Sequence, residues 1–303
     1  MSSQIYQFAA RAIRRGAVFA ALSAAAAVAG VTAQNSACGY DPATFEFTGT
    51  PIEQARCLLR PNLIGGILAA PLKILPGPLE KLIGSPVTLE RSAVIRYLDS
   101  SGIKSDELGG SLDTPLSTVK RPDGVFVMAL YFVIHDTSSP YLKDEPFPPN
   151  MDTDPTWRGN ALDIWPKQPV AHVFINRLGH SVTTTPFAET VRKGWGTKFA
   201  RDVLKADGKG MELHIELIQP RRRDPGNPQA GNDRFAPEPG FTDAQYDRLA
   251  LLYVCASVRR GTWLIPAYHS AVDAGIKDAH DDPQNFKLEK FAKALRRLVK
   301  RLD

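Results

Sequence analysis

The feature that most constrains the fold of this chain is an apolar strand pattern that ends in a histidine. The segment "VFVMALYFVIH", residues 125–135, is a continuous run of aliphatic and aromatic residues that stops at His135. Such a run is typical of a central strand that is covered on both faces of a sheet. A second apolar strand pattern, "TWLIPAYH", ends in the same way at His269. Either these are core histidines with hydrogen-bond partners, or the two strands place their imidazoles together at the rim of one site.

The segments around these two strands alternate between strand and helix patterns. "AHVFINRLGHSVTTTPF" predicts two strands joined by a turn at Leu178-Gly179, and "MELHIELIQP" predicts another strand. "TDAQYDRLALLYVCASVRRG" predicts a helix in which Thr242 and Gln245 form a capping box and which Gly261 ends. "FKLEKFAKALRRLVKRLD" predicts a final amphipathic helix. The pattern as a whole indicates a mixed β-sheet flanked by helices, an α/β or α+β fold.

The residues that precede this region have a different sequence pattern. Residues 34–115 are rich in apolar stretches broken by Gly and Pro, with helix signals that begin at Thr50 and at Leu89. We interpret them as a small helical accessory segment or N-terminal extension. The sequence thus divides into residues 1–33, residues 34–115 and a main domain over residues 116–303.

Residues 1–33 have the layout of a signal peptide. Three arginines (Arg11, Arg14 and Arg15) precede an Ala-rich apolar run over residues 16–31, and small residues follow for cleavage before Gln34. The run is shorter than the roughly 20 residues that a spanning helix needs. We expect export to a periplasm or cell envelope with no membrane span after cleavage; an uncleaved membrane anchor is the alternative. Cleavage removes three positive charges and lowers the formal net charge from +5 to +2, so nucleic acid is not an expected partner.

Three cysteines fit an exported protein. Cys38 and Cys57 could pair in an oxidising compartment and close a short loop. Cys255 lies in an apolar helix pattern and is expected to be a buried free thiol. The chain has no CxxC motif, so a structural zinc ribbon is not supported.

The two strand-end histidines have acidic partners nearby in the predicted fold. The loop after His269 contains an acid-rich stretch, "KDAHDDP". A catalytic zinc ion takes imidazole and carboxylate ligands, typically three from the protein. On a third strand, His214 and Glu216 lie on the same face because side chains alternate. A carboxylate on such an apolar strand is costly to bury unless it has a partner or a task.

Taken in order, these motifs resemble those of the zinc-dependent N-acetylmuramoyl-L-alanine amidases of the type 2 class, which include peptidoglycan recognition proteins. The family's "VIHHT"-like strand end stands here as "VIHDT", its "AHFLIxRxG" hairpin as "AHVFINRLG", and its "IGIEL" strand as "LHIEL". A "FTxxQ" helix start is present as "FTDAQ". The family's last segment, "GHxDI…GRKxDPG..F", corresponds to "YHSAVDAGIKDAHDDPQNF". The resemblance covers residues 123–303 and implies the amidase fold.

The resemblance also implies roles for individual residues. By position, His135, His269 and Asp282 would be the zinc ligands, and Glu216 would be the general base. His280 stands where the family often has a lysine that stabilises the developing oxyanion. The loop between His269 and Asp282 is two residues longer than the common spacing, so His280 is a rival for the third ligand. Ala279, which an ungapped alignment would select, cannot bind a metal.

Two further residues are candidates for substrate contact. Trp195, in "KGWGTK", could lie along a glycopeptide groove or could anchor the loop to the surface. His172 lies at a position where the family also has a histidine, and a packing role or a role behind the metal ligands is the alternative to substrate contact.

The function that the resemblance implies is zinc-dependent hydrolysis of the amide bond between N-acetylmuramic acid and L-alanine, in peptidoglycan or in free muropeptides. A non-catalytic peptidoglycan-binding module on the same fold is one alternative, and a zinc hydrolase that cuts another amide is a second. A structural envelope protein with core histidines is a third. We expect a monomer.

Overall fold

The structure of the protein is a computed structural model that describes residues 37–63, 67–227 and 233–303. The predicted signal peptide, residues 1–33, lies outside the described residues. The strands are β1 (Tyr40–Asp41), β2 (Glu46–Phe47), β3 (Asn62–Leu63), β4 (Ile67–Leu68), β5 (Thr118–Lys120), β6 (Phe126–Met128), β7 (Tyr131–Asp136), β8 (Val173–Ile175), β9 (Ser181–Thr183), β10 (Glu212–Leu217) and β11 (Ile265–Tyr268). The α-helices are α1 (Pro51–Leu58), α2 (Gly77–Leu82), α3 (Arg91–Ser101), α4 (Lys205–Gly208), α5 (Asp243–Arg260), α6 (His269–Val272) and α7 (Leu288–Leu302).

A five-stranded mixed sheet organises the chain, with the strand order β11-β7-β10-β8-β9. The pairs β11–β7, β7–β10 and β10–β8 are parallel, and β9 runs antiparallel to β8. Parallel neighbours end at the same edge of a sheet, so the carboxyl ends of β7, β10 and β11 lie together. The prediction of a mixed α/β chain with a mixed sheet and helices is confirmed.

The central strand β7 is shorter than the apolar run predicts. Residues 126–128 form β6, which pairs with β5 in a separate two-stranded sheet, and the Phe126 side chain is 71% exposed. The Arg260 guanidinium binds the carbonyls of Met128 and Ala129. These contacts hold the backbone between the two strands. The prediction of one strand over residues 125–135 is therefore wrong, because apolar character alone does not mark this break.

The helix predictions in the second half of the chain are confirmed. Thr242 caps α5 through its hydroxyl, which accepts a hydrogen bond from the Gln245 amide, and Gly261 ends the helix in the left-handed region at φ 82°. The apolar side of α7 is buried and packs against α5. The residues of this side that are buried are Phe291, Ala292, Ala294, Leu295, Leu298 and Leu302.

The N-terminal segment packs onto the sheet through α1, which contacts β11. The Tyr131 hydroxyl on β7 donates a hydrogen bond to Gln54 on α1 and accepts one from the Phe47 amide. A disulfide joins Cys38 to Cys57, as the sequence allowed, and Cys255 is a buried free thiol, as predicted. The described residues from 37 onward thus form one compact unit.

Helices long and apolar enough to cross a membrane are absent from the part of the chain that the structure describes.

Candidate metal centre

The two predicted strand-end histidines meet at the carboxyl edge of the sheet. His135 lies in β7, and His269 is the first residue of α6, directly after β11. Because β7 and β11 are parallel neighbours, their ends bring both rings together. The Nδ1 atoms of His135 and His269 are 2.9 Å apart, and both side chains are almost fully buried. The arrangement places two imidazole nitrogens face to face in the protein interior.

Asp282 supplies a third donor atom to this pair. Its Oδ2 atom lies 3.0 Å from Nδ1 of His269 and 3.6 Å from Nδ1 of His135. The Asp136 amide donates a hydrogen bond to the same oxygen at 3.2 Å, and the Ser270 amide donates to the Asp282 carbonyl. These bonds fix the position of the loop that carries Asp282. One ligand atom from each of His135, His269 and Asp282 lies within 4.8 Å of the others.

The donor set of this group suits a metal ion. Two neutral imidazoles that face each other through nitrogen atoms can share only one proton between them. A cation between the three donor atoms would instead accept a lone pair from each of them. Two imidazole nitrogens and one carboxylate oxygen are a combination that zinc accepts, and it leaves coordination positions open. The buried group of His135, His269 and Asp282 can therefore hold a metal ion.

The electrostatics of the three side chains are strongly coupled. Burial lowers the pKa of His135 well below its usual value, and repulsion from His269 lowers it further. Burial also opposes the charged form of His269, but the carboxylates of Asp282 and Asp273 outweigh it and raise the pKa of His269 well above its usual value. Burial opposes ionisation of Asp282, yet His269 holds the pKa of this carboxyl well below its usual range. Without a metal the site thus combines a neutral His135, an ionised Asp282 and a protonated His269. The first two are in the forms that bind metals, and a metal ion at Nδ1 of His269 would displace the proton there.

Glu216 faces the same group from β10. The parallel register places Glu216 directly beside His135, and its Oε1 atom is 3.9 Å from Nδ1 of His135. Its Oε2 atom is buried and makes no hydrogen bond with any residue that the structure describes. Burial raises the pKa of Glu216 well above its usual value, and the charge of Asp282 raises it further. A cation held by the neighbouring ligands would favour the ionised form of this carboxyl.

His280 lies at the rim of the site. Its side chain is 57% exposed, and its Nδ1 atom is 3.6 Å from Oδ1 of Asp282. Its ring also contacts the ring of His269, with 4.5 Å between centroids. Among the described residues, Asp282 belongs to the group that can hold a metal, and His280 does not.

Neither candidate substrate contact belongs to the group of described residues that can hold a metal. The His172 side chain is fully buried, with Nε2 hydrogen-bonded to the Glu189 carbonyl and Nδ1 accepting from the His214 amide. This placement favours the packing alternative for His172. Trp195 is partly buried against the core, and the Lys209 ammonium lies 5.1 Å from its ring centre. Lys209 also binds the carbonyl of Gly194, so the tryptophan belongs to a well-anchored loop.

Comparison of the chain with protein-family models, with curated proteins and with solved structures finds no match in any of the three.

Several residues that support the site were not predicted from the sequence. Arg221 is fully buried and binds both carboxylate oxygens of Asp136, at 2.9 and 2.8 Å. Asp273 binds Nε2 of His269 at 2.9 Å. From sequence alone, the "RRR" run at residues 221–223 could either hold substrate carboxylates or form a solvated loop edge. Arg221 is buried, so a solvated edge does not describe it. The buried acid Asp136 directly after His135 was the available signal, because such a charge requires a cationic partner.

Proposed function

We propose that this chain is a zinc-dependent amide hydrolase that cleaves the bond between N-acetylmuramic acid and L-alanine in peptidoglycan or muropeptides. The proposal combines the buried donor group of His135, His269 and Asp282 with the sequence resemblance to type 2 amidases. The fold and the location in a cell envelope that the resemblance implies belong to the same proposal.

The observation that carries the proposal is the position of Glu216. A purely structural trio of two histidines and an aspartate is already satisfied by its own contacts. A further carboxylate beside this trio is only 15% exposed and has one buried oxygen without a hydrogen bond among the described residues, so it raises the electrostatic cost of the site. Buried carboxylates with strongly raised pKa values cluster where proton transfer is needed. Glu216 lies where it could exchange a proton with a molecule that is bound at the three ligands.

The chemistry can be assigned to the side chains of this chain. A zinc ion at the three ligands would supply Lewis-acid chemistry, which makes water a nucleophile near neutral pH and polarises a carbonyl. Glu216 accepts the proton of the water that adds to the carbonyl carbon, and it delivers a proton to the amide nitrogen as the C–N bond breaks. His280, at the rim, donates a hydrogen bond to the oxyanion that develops on the former carbonyl oxygen. The products are a free lactyl carboxylate and a peptide with an L-alanine amino terminus.

The test is digestion of purified sacculi and of isolated muropeptides by the wild type and by Glu216→Gln. We expect the wild type with zinc to release peptide stems while the glycan chains stay intact. Glu216→Gln should lose at least about 100-fold in rate, within the range for removal of a general acid–base group, while it still binds zinc. Glu289→Gln, an exposed substitution on α7, is the matched control and should retain the wild-type rate.

Three outcomes would contradict the proposal. Stem release by Glu216→Gln at the wild-type rate would remove this residue from the mechanism. Retention of muropeptides by zinc-loaded wild type without cleavage would favour a recognition module. Cleavage of other peptide amides, with muropeptides left intact, would favour a hydrolase of different specificity.

A further inference from the structure

The second ring nitrogen of His135 points away from the metal group and meets another buried histidine. Nε2 of His135 lies 3.1 Å from Nδ1 of His214, which is on the neighbouring strand β10. Both rings are buried, and they contact each other edge to face with 5.2 Å between centroids. The imidazole of His135 is therefore held between the metal group on one side and His214 on the other.

This contact can stabilise the tautomer of His135 that binds a metal. A neutral imidazole carries its proton on one nitrogen and its lone pair on the other. A metal bound at Nδ1 requires the proton of His135 on Nε2, from which it can be donated to Nδ1 of His214. His214 must then carry its own proton on Nε2. The 3.1 Å contact thus selects the binding form of His135 only if His214 is itself held in one tautomer.

Glu212 lies where it can hold His214. Its Oε2 atom is 3.5 Å from Nε2 of His214, which makes no hydrogen bond with the described residues. Glu212 is also buried, and Oε2 accepts a hydrogen bond from the Thr197 hydroxyl at 2.9 Å. Since side chains alternate along a strand, Glu212, His214 and Glu216 share one face of β10. A carboxyl oxygen of Glu212 beside Nε2 can accept a hydrogen bond from it, and this favours the tautomer of His214 that has its proton there.

The loop that covers His214 leaves room for this ring. Gly196 has φ +78°, and a Cβ atom at this position would lie 2.3 Å from Nε2 of His214. A side chain at residue 196 would therefore displace the imidazole as well as strain the backbone. The next residue, Thr197, is the one that binds Glu212.

The same loop also supports the other histidine of the metal group. Nε2 of His269 lies 2.9 Å from Oδ2 of Asp273, and the amides of Lys198 and Phe199 donate hydrogen bonds to the Asp273 carboxylate. Each histidine ligand thus presents Nδ1 to the group and has Nε2 held by a buried partner. Residues 196–199 therefore contact the side chains that hold Nε2 of both histidine ligands.

We propose that His214, supported by Glu212, is a positioning residue that holds His135 with the lone pair of Nδ1 directed at the metal. The proposal rests on the metal centre of the proposed function, but it does not depend on which bond is cut. Carboxylate–histidine arrangements of this kind fix the orientation of a metal ligand and raise its basicity. In this chain a second imidazole stands between the ligand and the carboxylate.

The experiment is a zinc competition titration against a chelating dye, with the Co²⁺ absorption spectrum as a second readout. His214→Leu removes the acceptor for Nε2 of His135 at similar volume, and we expect its zinc affinity to fall by about 10–100-fold. His214→Asn retains an oxygen near the position of Nδ1 and should recover most of the affinity. Glu212→Leu removes the oxygen that faces Nε2 of His214, and we expect its zinc affinity to fall by about tenfold. The Co²⁺ bands of His214→Leu should shift, because the ligand ring is no longer fixed.

Leu213→Ala is the matched control for loss of stability. Leu213 is fully buried on the opposite face of the same strand, so its truncation should lower the thermal stability of the chelated protein and leave zinc affinity unchanged. Zinc affinity of His214→Leu within twofold of the wild type would overturn the proposal. It would also be overturned if His214→Asn bound zinc as weakly as His214→Leu, or if Leu213→Ala lost as much affinity. A wild type that binds zinc but cleaves no muropeptide would contradict the proposed function and leave this inference intact.

Discussion

At the scale of single residues, a buried ion pair supports the loop that carries the third ligand. The side chains of Arg221 and Asp136 are both almost fully buried and are joined by two hydrogen bonds. The Gln284 amide donates to the same carboxylate at 2.9 Å, two residues beyond Asp282. The pair therefore links the end of β7, where His135 lies, to the loop of Asp282.

Arg221→Met tests the contribution of this ion pair. Removal of one partner leaves the other charge buried and uncompensated, which typically costs about 3–5 kcal/mol. We expect the free energy of unfolding, measured by urea denaturation in the presence of chelator, to fall by about that amount. Arg223→Met, which removes a far more exposed ion pair with Asp144, is the control and should lie within the error of the measurement. A decrease below about 1 kcal/mol for Arg221→Met, the size of a surface ion pair, would contradict the prediction.

The identity of the third ligand gives a second prediction at this scale. Removal of a hydrogen-bond partner of a metal ligand typically weakens metal binding by roughly 10–100-fold. Asp282→Asn should weaken zinc binding by more than this, because it removes a charged ligand atom. The matched control is Asp281→Asn, since the carboxylate of Asp281 contacts Arg221 and Gln284 instead of the metal group. Isothermal titration with zinc measures both variants. If His280→Ala lost more affinity than Asp282→Asn, His280 would be the third ligand.

At the scale of elements, the sequence predicted those parts whose signals are local. The helix starts predicted at Thr50 and Thr242 both form, each with a capping box, and the hairpin of β8 and β9 turns where Leu178-Gly179 stands. The break between β6 and β7 was not predictable, because it depends on Arg260, more than a hundred residues away in sequence.

The same holds for the candidate site: residues with a signal in the sequence were predicted, and residues that depend on contacts between distant parts of the chain were not. The meeting of His135 and His269 was predictable because each ends an apolar strand pattern. Asp282 was predicted through the resemblance, with His280 as its rival. Glu212, Asp273 and Arg221 support those ligands through contacts that only the folded chain reveals.

The cap of α5 provides a prediction at the element scale. The Thr242 hydroxyl accepts from the Gln245 amide and donates to the Arg177 carbonyl at 2.7 Å. Thr242→Ala should lower the free energy of unfolding by about 1 kcal/mol, the typical value for an N-cap. Thr242→Ser keeps the hydroxyl and should retain most of that stability. Equal losses in the two variants, measured by thermal unfolding, would assign the effect to the methyl group instead.

At the scale of the whole molecule, the N-terminal segment packs against the sheet and is closed internally by a disulfide. The disulfide between Cys38 and Cys57 spans 19 residues of sequence and holds the start of the described chain to α1, which in turn packs on β11. The segment is thus part of the same unit as the metal centre. Asn62 also contacts the carbonyl of Asp281, beside the third ligand.

The disulfide should contribute measurably to the stability of this unit. In the chain-entropy model, closure of a loop of this size stabilises the folded state by about 3 kcal/mol. The double variant Cys38→Ser and Cys57→Ser should lose about that amount in urea denaturation. Dithiothreitol should destabilise the wild type and leave the double variant unaffected. An equal response of both proteins to the reductant would show that the bond is not the source of the stability.

The measurement that tests the account most directly is the anomalous scattering of zinc in crystals of the full chain grown with stoichiometric Zn²⁺. We predict one strong peak between Nδ1 of His135, Nδ1 of His269 and a carboxylate oxygen of Asp282. The Nε2 atom of His135 should remain in contact with His214. The absence of a peak at this position, with the two imidazoles bonded directly to each other in the presence of zinc, would contradict the account.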